Sequence, residues 1–191
     1  FFSALKSFLR QDPDIIMVGE IRDTETLGAA AQASLTGHLV FSTLHTNNAP
    51  SAISRMAQMG LESYLIADSV LGIVAQRLVR KICPHCKQEV KPHKELLAKV
   101  SAYIQPDTLF YKGKGCSQCD FSGYAGRIMI SEILVVSEEI SKMIAVGSTN
   151  FEIAHYAQEH ENFKPMFFDG LKKAMLGITT LDDVLRVVKD I

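Results

Sequence analysis

The chain has 191 residues and a formal net charge of −1, from 20 lysines and arginines against 21 aspartates and glutamates. This balance argues against a general affinity for nucleic acid, and we expect no specific nucleic-acid partner. The length is sufficient for one domain with a well-packed hydrophobic core and one small additional subdomain. No apolar run approaches the roughly 20 residues that span a bilayer. The sequence opens on Phe1-Phe2, without a start methionine or a signal-peptide pattern, so we expect it to be part of a longer protein.

The first half of the chain alternates short apolar runs with segments of helical spacing, which predicts an α/β core built on a parallel sheet. The run from Ile15 to Val18 is apolar throughout, as is typical of a parallel strand covered on both faces. Capping residues and glycines set the expected bounds of the helices. In chain order we expect a helix over 3–11, a strand over 15–18, a helix capped by Asp23 or Thr24 that stops at Gly37, a strand over 39–43, a helix from Asn47 or Asn48 to Gly60, and a long helix over 62–80.

The character of the sequence changes at Cys83, where it becomes polar, rich in turns and paired in its cysteines. Residues 127–134 are apolar again and predict one more strand. Ser137 and Thr180 stand where helix N-caps belong, so we expect the end of the chain to be helical. The expected parts are an α/β core over 1–81, a tetracysteine part over 82–122, a returning core strand over 123–136 and a helical part over 137–191.

Glu20 is the first candidate functional residue, because it directly follows a predicted buried strand. Ligands of parallel α/β sheets bind beyond the carboxyl ends of the strands. A carboxylate at that edge can orient an attacking water or support Mg²⁺, and Gly19 lets the backbone approach a ligand closely. An isolated glutamate at a strand end is usually an ordinary solvated residue. Here the surrounding residues Gly-Glu-Ile-Arg-Asp, preceded by Asp-Pro-Asp, favour a functional role.

Two histidines bracket the second predicted strand. His38 opens the strand and His45 lies beyond its far end, so the two cannot share one metal ion unless the chain folds back. At the ligand-binding end, His45 can hydrogen-bond a terminal phosphate or relay its presence to a neighbouring element. For His38, the alternative is a histidine in a helix-to-strand turn whose ring is satisfied by backbone groups.

The segment from Leu9 to Thr46 resembles the secretion superfamily ATPases, which comprise the type II secretion motors and the type IV pilus assembly and retraction motors. In that family DPDxxxVGEIRD is the Walker B region and TGHLVxSTLHT is the histidine box. The resemblance implies that Glu20 is the Walker B glutamate and that His38 and His45 are the histidine-box pair. The pattern G-x-x-x-x-G-K-[ST] does not occur in the 191 residues. We therefore expect the C-terminal part of a RecA-like P-loop NTPase core, inactive by itself, with a small four-cysteine zinc subdomain and a helical C-terminal subdomain.

The same resemblance implies functions for four arginines. Arg22, beside the Glu20 turn, is assigned to catalysis, and Arg10, Arg55 and Arg127 are assigned to the nucleotide or to subunit interfaces. A guanidinium suits these tasks because it stays charged and binds phosphate or carboxylate in bidentate fashion. The alternative for each arginine is a surface ion pair of little energetic value.

The four cysteines form two C-x-x-C knuckles, Cys83–Cys86 and Cys116–Cys119. Together they can complete a tetrahedral S₄ zinc site that is structural, because four protein ligands leave no open position. Two disulfides or a redox C-x-x-C pair are the alternatives, and we expect His85, the competing ligand, to point away. By resemblance, secretion and pilus assembly motors typically carry such a subdomain, whereas retraction motors generally lack it.

The expected function is that of a hexameric ATPase that hydrolyses ATP with Mg²⁺ to power pilus or pseudopilus assembly and protein secretion. The resemblance implies as partners the other subunits of the ring, an inner-membrane platform protein and the cytoplasmic domain of a membrane linker protein. It also implies a cytoplasmic protein, peripheral at the inner membrane through these partners. The alternative is a zinc-binding, catalytically inactive interaction module of a secretion or DNA-uptake machine.

Overall fold

The computed structural model describes residues 7, 11 and 13–188. Apart from Ser7 and Gln11, the helix expected over 3–11 lies outside the described residues. The strands are β1 (Ile15–Val18), β2 (Leu39–Ser42), β3 (Gly72–Ile82), β4 (Lys87–Val90), β5 (Phe110–Gly113) and β6 (Tyr124–Val135). The helices are α1 (Thr24–Leu35), α2 (Ala49–Gln58), α3 (Ser63–Ser69), α4 (Lys94–Val100), α5 (Glu138–Ala145), α6 (Asn150–His160), α7 (Met166–Met175) and α8 (Leu181–Val187).

The described chain forms two compact units. The first contains the residues up to Ala75 together with Ile133–Phe163, and the second contains Gln76–Glu132 and the residues from Lys164 onward. The paired strands β3 and β6 each contribute residues to both units. The four-part division expected from the sequence stays a prediction.

In the first unit, β1 and β2 pair in parallel, with Ile15 opposite Leu39 and Val18 opposite Ser42. The expected burial of β1 on both faces is wrong for the described residues. Ile16 and Val18 are buried, whereas Ile15 and Met17 on the other face are 62% and 77% exposed. The burial of an apolar strand depends on which elements pack against it. When only one face of the strand is covered, buried and exposed residues alternate even though every residue is apolar.

The helices of the first unit begin and end where local chemistry predicts. The Asp23 carboxylate accepts a hydrogen bond from the Thr26 backbone N–H at the start of α1. Asn48 and Ser51 form a reciprocal capping box at the start of α2. Helix α3 packs on α1 and α5, and α2 packs on α6. The buried core includes Leu27, Ala30, Ile53, Ile66, Leu134, Ile140 and Ile153.

The long helix expected over 62–80 is wrong. Helix α3 ends at Ser69, and β3 starts at Gly72. Exposure alternates residue by residue from Gly72 to Val79: the even-numbered positions are exposed, and the odd-numbered ones are half-buried or buried. Apolar residues lie three and four positions apart across the boundary between α3 and β3. The end of a helix and the start of a strand together therefore show the spacing expected of one amphipathic helix. The strand expected over 127–134 is confirmed within β6.

The second unit combines the antiparallel pair β4–β5 with the C-terminal helices. Its apolar core joins segments that are far apart in sequence. Val100 and Phe110, from the region between the two cysteine knuckles, pack with residues of α7 and α8. The buried members are Val100, Phe110, Phe167, Leu171, Ala174, Leu181 and Val184.

A buried acidic residue in α8 connects that helix to β3. The Asp183 carboxylate, 1% exposed, accepts hydrogen bonds from the backbone N–H and the guanidinium of Arg80. The Arg80 guanidinium also stacks 3.9 Å from the centre of the Tyr124 ring. Thr180 begins α8 as its N-cap, as expected.

Candidate functional site

Glu20 lies just past the carboxyl end of β1, where the sequence predicts a ligand site. Its side chain is 38% exposed. A Cβ built on Gly19 would meet nothing within 4 Å among the described residues. The described residues therefore leave open space beside the Gly19 backbone, through which a ligand could approach Glu20.

The structure brings Arg22 and His45 to the two oxygens of the Glu20 carboxylate. Arg22 Nη2 lies 2.7 Å from Glu20 Oε1, and His45 Nε2 lies 3.4 Å from Glu20 Oε2. The hydrogen bond from Arg22 is the main cause that holds the pKa of Glu20 below its usual value of 4.5, and His45 lowers the pKa further. Glu20 is therefore an ionised carboxylate at neutral pH, able to polarise a water but not to donate a proton.

His38 does not join this cluster through any contact that the structure describes. It precedes β2 at the opposite end of the strand from His45. Its Nδ1 lies 3.0 Å from the Ala33 carbonyl oxygen, at the turn that follows α1. This is the contact expected of a helix-to-strand turn histidine satisfied by the backbone. The catalytic assignment of His38 stays a prediction.

The other predicted arginines belong to different parts of the chain. Arg55 is exposed on α2 in the first unit, and Arg127 is exposed on β6 within the second unit. Arg10 lies outside the described residues. Only Arg22 of the four has a described contact with another predicted site residue.

Thr43 contacts the Glu20 turn, although the sequence analysis did not single it out. Its hydroxyl donates a hydrogen bond to the Gly19 carbonyl oxygen at 2.7 Å. Its own carbonyl oxygen accepts a hydrogen bond from the Ile21 backbone N–H at 3.1 Å. The signal available in the sequence was indirect: Thr43 ends the second predicted strand, and Gly19 directly follows the first.

The four cysteines come together in the second unit. Cys83, Cys86, Cys116 and Cys119 are all free thiols, and their sulfur atoms lie within 4.8 Å of one another. Among the described residues, this is the one group of three or more potential ligands, and the exposed His85 is not a member. The cluster can hold a metal ion, and the sulfur separations rule out the alternative of two disulfides in this structure.

The sulfur separations match a tetrahedral site. The Cys83–Cys116 and Cys86–Cys119 sulfur pairs are 3.9 Å apart, and the Cys116–Cys119 pair is 3.7 Å apart. Tetrahedral zinc with bonds of about 2.3 Å would separate its sulfurs by about 3.8 Å. The donor set therefore fits zinc in both distance and chemistry.

The thiols of Cys86 and Cys119 differ in acidity. Burial raises the pKa of Cys86 to about 11. Burial also acts to raise the pKa of Cys119, but hydrogen bonds from the backbone N–H groups of Cys116 and Gly123 outweigh it and lower the value to about 6. These N–H groups would orient and stabilise a thiolate ligand.

Comparison with known proteins assigns the chain to a family. Residues 1–186 match the family described as type II/IV secretion system protein. This chain belongs to that family. The type IV pilus assembly ATPase PilB of Thermus thermophilus is 52% identical over 97% of the chain, and type II secretion system ATPase E of Vibrio cholerae is 44% identical over 100%. The chain spans 21% and 37% of the length of these two relatives.

A solved structure supports the fold of this secretion-system family member. The chain superposes on the pilus retraction motor PilT with bound ADP at a TM-score of 0.68 and 26% identity, over 100% of this chain and 44% of that one. The expected fold class, part of a RecA-like α/β core with a four-cysteine cluster, is confirmed. In residues 7, 11 and 13–188, no helix has both the length and the apolar character required to cross a membrane.

Proposed function

We propose that the complete protein is a hexameric ATPase that powers assembly of a pilus or pseudopilus and protein secretion. The observation that carries this proposal is the Glu20 turn, with an ionised carboxylate at the carboxyl end of β1 and contacts to Arg22 and His45. The proposal is supported by the names of two relatives, a pilus assembly ATPase and a secretion system ATPase.

Glu20 is the residue proposed to act on the attacking water. Its carboxylate is charged at neutral pH, partly exposed and adjacent to open space. A carboxylate in this position accepts a hydrogen bond from water and orients it toward a terminal phosphate. Mg²⁺ commonly binds through one or two carboxylates together with substrate phosphates and waters. Glu20 alone could therefore supply the protein ligand for Mg²⁺ from this part of the protein. Mg²⁺ neutralises phosphate charge when bound.

Arg22 and His45 are proposed to tune Glu20 and to sense phosphate. Both are well exposed, so each can exchange its contact with Glu20 for one with a phosphate oxygen. A guanidinium can bind phosphate in bidentate fashion, and an imidazole can donate one hydrogen bond. His38, Arg10, Arg55 and Arg127 keep their proposed catalytic, nucleotide or subunit-interface roles from the family resemblance.

The cysteine cluster is proposed to bind one structural zinc ion. The sulfur separations near 3.8 Å fit tetrahedral zinc, and four protein ligands leave no site for a substrate. Metal binding would stabilise the fold of the polar segment around the knuckles. By the resemblance described above, the cluster favours pilus assembly or secretion over retraction.

The proposed partners follow from the same resemblance. They are the other subunits of the ring, an inner-membrane platform protein and the cytoplasmic domain of a membrane linker protein. The complete protein would then be cytoplasmic and peripheral at the inner membrane through these partners. No specific nucleic acid is proposed as a partner.

The decisive experiment is Glu20→Gln in the complete protein. Glutamine keeps the size and one acceptor oxygen but loses the charge, so ATP binding should be nearly unchanged while turnover falls. A general base or water-positioning group contributes about 10²–10⁴-fold, so the loss should be of that order. Retention of more than about a third of the wild-type rate would contradict the assignment of Glu20, because that loss is far smaller than the role requires.

Two further variants fix the order of effects in the same assay. His45→Ala should reduce turnover less than Glu20→Gln. His45 only contacts the Glu20 carboxylate, at 3.4 Å, so its loss leaves the carboxylate proposed to act on water in place. Lys172→Ala, at an exposed position on α7, should remain near wild type. If the wild-type complete protein binds zinc but hydrolyses no ATP in the assembled ring, the alternative of an inactive interaction module is correct.

A further inference from the structure

The carboxyl end of β2 fixes the backbone on both sides of Glu20. The parallel pairing of β1 and β2 ends with Val18 opposite Ser42. Thr43 is the next residue, and it makes two further hydrogen bonds to the segment after β1, one through its side chain and one through its backbone. Its hydroxyl binds the Gly19 carbonyl oxygen at 2.7 Å, and its carbonyl binds the Ile21 N–H at 3.1 Å.

These two bonds constrain the two peptide groups that flank the Glu20 Cα. The Gly19 carbonyl belongs to the planar peptide group that precedes Glu20, and the Ile21 N–H belongs to the one that follows it. Constraining both planes restricts the φ and ψ angles of Glu20, and therefore the direction of its Cα–Cβ bond. The constraint matters here because Gly19, which adjoins Glu20, has more backbone freedom than any other residue type.

We propose that Thr43 is a positioning residue for Glu20 in ATP hydrolysis. The inference rests on the proposed function of Glu20 and adds a residue that acts through the backbone, without touching the substrate. Thr43 holds the Glu20 main chain, while His45, two positions further on, contacts the Glu20 side chain. The segment Thr43–His45 thus constrains both the backbone and the side chain of Glu20. A misplacement of about 1 Å at a catalytic group can cost about 10²-fold in rate.

The hydroxyl is the part of Thr43 that substitution can remove cleanly. Thr43→Val keeps the shape and the backbone carbonyl but loses the bond to Gly19, whereas Thr43→Ser keeps a hydroxyl. Thr43 is exposed, so loss of its bond should affect stability little. Thr24→Val is a matched control, because the Thr24 hydroxyl is also exposed and binds a distant carbonyl, that of Met59, at 2.6 Å.

The test measures kcat and KM for ATP in the complete protein. Thr43→Val should lower kcat about 10-fold or more while KM changes less than about twofold, since a positioning defect affects the transition state more than binding. Thr43→Ser should retain more than half of kcat, and Thr24→Val should remain near wild type. Adding Thr43→Val to Glu20→Gln should cause almost no further loss, because the residue being positioned is already disabled.

The outcomes separate this inference from the proposed function. If Glu20→Gln abolishes turnover but Thr43→Val keeps more than half of kcat, the role of Thr43 is wrong and that of Glu20 stands. The role of Thr43 is also wrong if serine fails to rescue, or if Thr24→Val loses as much rate with an equal drop in Tm. If Glu20→Gln retains turnover, both assignments are wrong.

Discussion

The Arg22 guanidinium lies 2.7 Å from the Glu20 carboxylate, although both side chains are exposed enough to be solvated separately. This contact is the main cause of the lowered pKa of Glu20. It links a residue proposed to act on water to a residue that can bind phosphate, and it makes the protonation of Glu20 depend on Arg22.

Arg22→Ala should raise the pKa of Glu20 toward its usual value of 4.5. A lowered carboxyl pKa means that the ion pair is present at neutral pH and is lost as pH falls through the folded-state value. Without Arg22, protonation should therefore begin at a higher pH. NMR titration of the ¹³C-labelled Glu20 carboxyl would measure the change, with Arg22→Lys as a control that keeps a positive charge. Identical titration curves for wild type and Arg22→Ala would contradict the assignment.

The chain should bind one zinc ion through its four cysteines. Metal analysis of protein purified without chelators should find about one zinc per chain, and Cys119→Ser should lower that ratio sharply because it removes one of the four ligands. His85→Ala is the matched control, since His85 lies in the first knuckle but outside the sulfur cluster. Its zinc content should equal that of wild type. Absence of zinc from the wild-type protein, or loss of zinc in His85→Ala, would refute the proposed ligand set.

Gly123→Ala should destabilise the metal centre. Gly123 has a φ of +77°, and a Cβ there would lie 2.5 Å from the Gly113 carbonyl oxygen. Gly126→Ala separates the two causes, because Gly126 has nearly the same φ, +76°, with nothing within 4 Å of the added Cβ. Both variants incur the cost of a left-handed backbone, about 1–2 kcal/mol. Only Gly123→Ala adds a steric conflict, so it should show the larger drop in Tm and faster zinc release to a chelator. Equal drops would show that the close approach is unimportant.

Arg80→Ala should destabilise the second unit far more than Arg186→Ala. Both arginines contact Asp183, but Arg80 donates to both of its oxygens and also stacks on Tyr124, whereas Arg186 makes one contact at 3.0 Å. Removing the main partner of a buried charge costs about 3–5 kcal/mol, whereas a surface pair is worth about 0–1 kcal/mol. Urea denaturation of the two variants would measure the difference, and similar midpoints would contradict this ranking.

The same carboxylate predicts a pH dependence of stability. Burial acts to raise the pKa of Asp183, but hydrogen bonds and charge from Arg80 outweigh it and lower the pKa below the usual 3.8. Because the folded-state pKa is depressed, this contribution to the free energy of unfolding is present at neutral pH and is lost as pH falls through that value. In Arg80→Ala the loss should begin at a higher pH.

Features that depend on a few neighbouring residues were predictable from the sequence. The C-x-x-C spacing identified the four cysteines, and the capping residues identified the starts of α1, α2, α5 and α8. The apolar run before Glu20 also predicted correctly that this residue follows the end of β1. These features depend on a few adjacent residues, so tertiary contacts do not override them.

Features that depend on pairing between distant segments were not predictable. Thr43 acquires its contact with Gly19 only through the parallel register of β1 and β2. The β3 segment has a helix-like spacing in its first residues and becomes a strand by pairing with β6. The exposure of Ile15 and Met17 likewise depends on which elements cover the sheet, a property that the apolar run itself does not encode.

The core shared by Val100, Phe110 and the helices α7 and α8 has a consequence for synthesis of the protein. On the ribosome, both cysteine knuckles emerge before those helices, so the metal can close around Cys83–Cys119 while the apolar side chains of Val100 and Phe110 still lack their later partners. If the cluster binds its proposed metal at this point, metal supply would act early, when the half-built core is most prone to aggregation. A shortage of zinc would then lower the yield of folded chain by exposing this segment for longer.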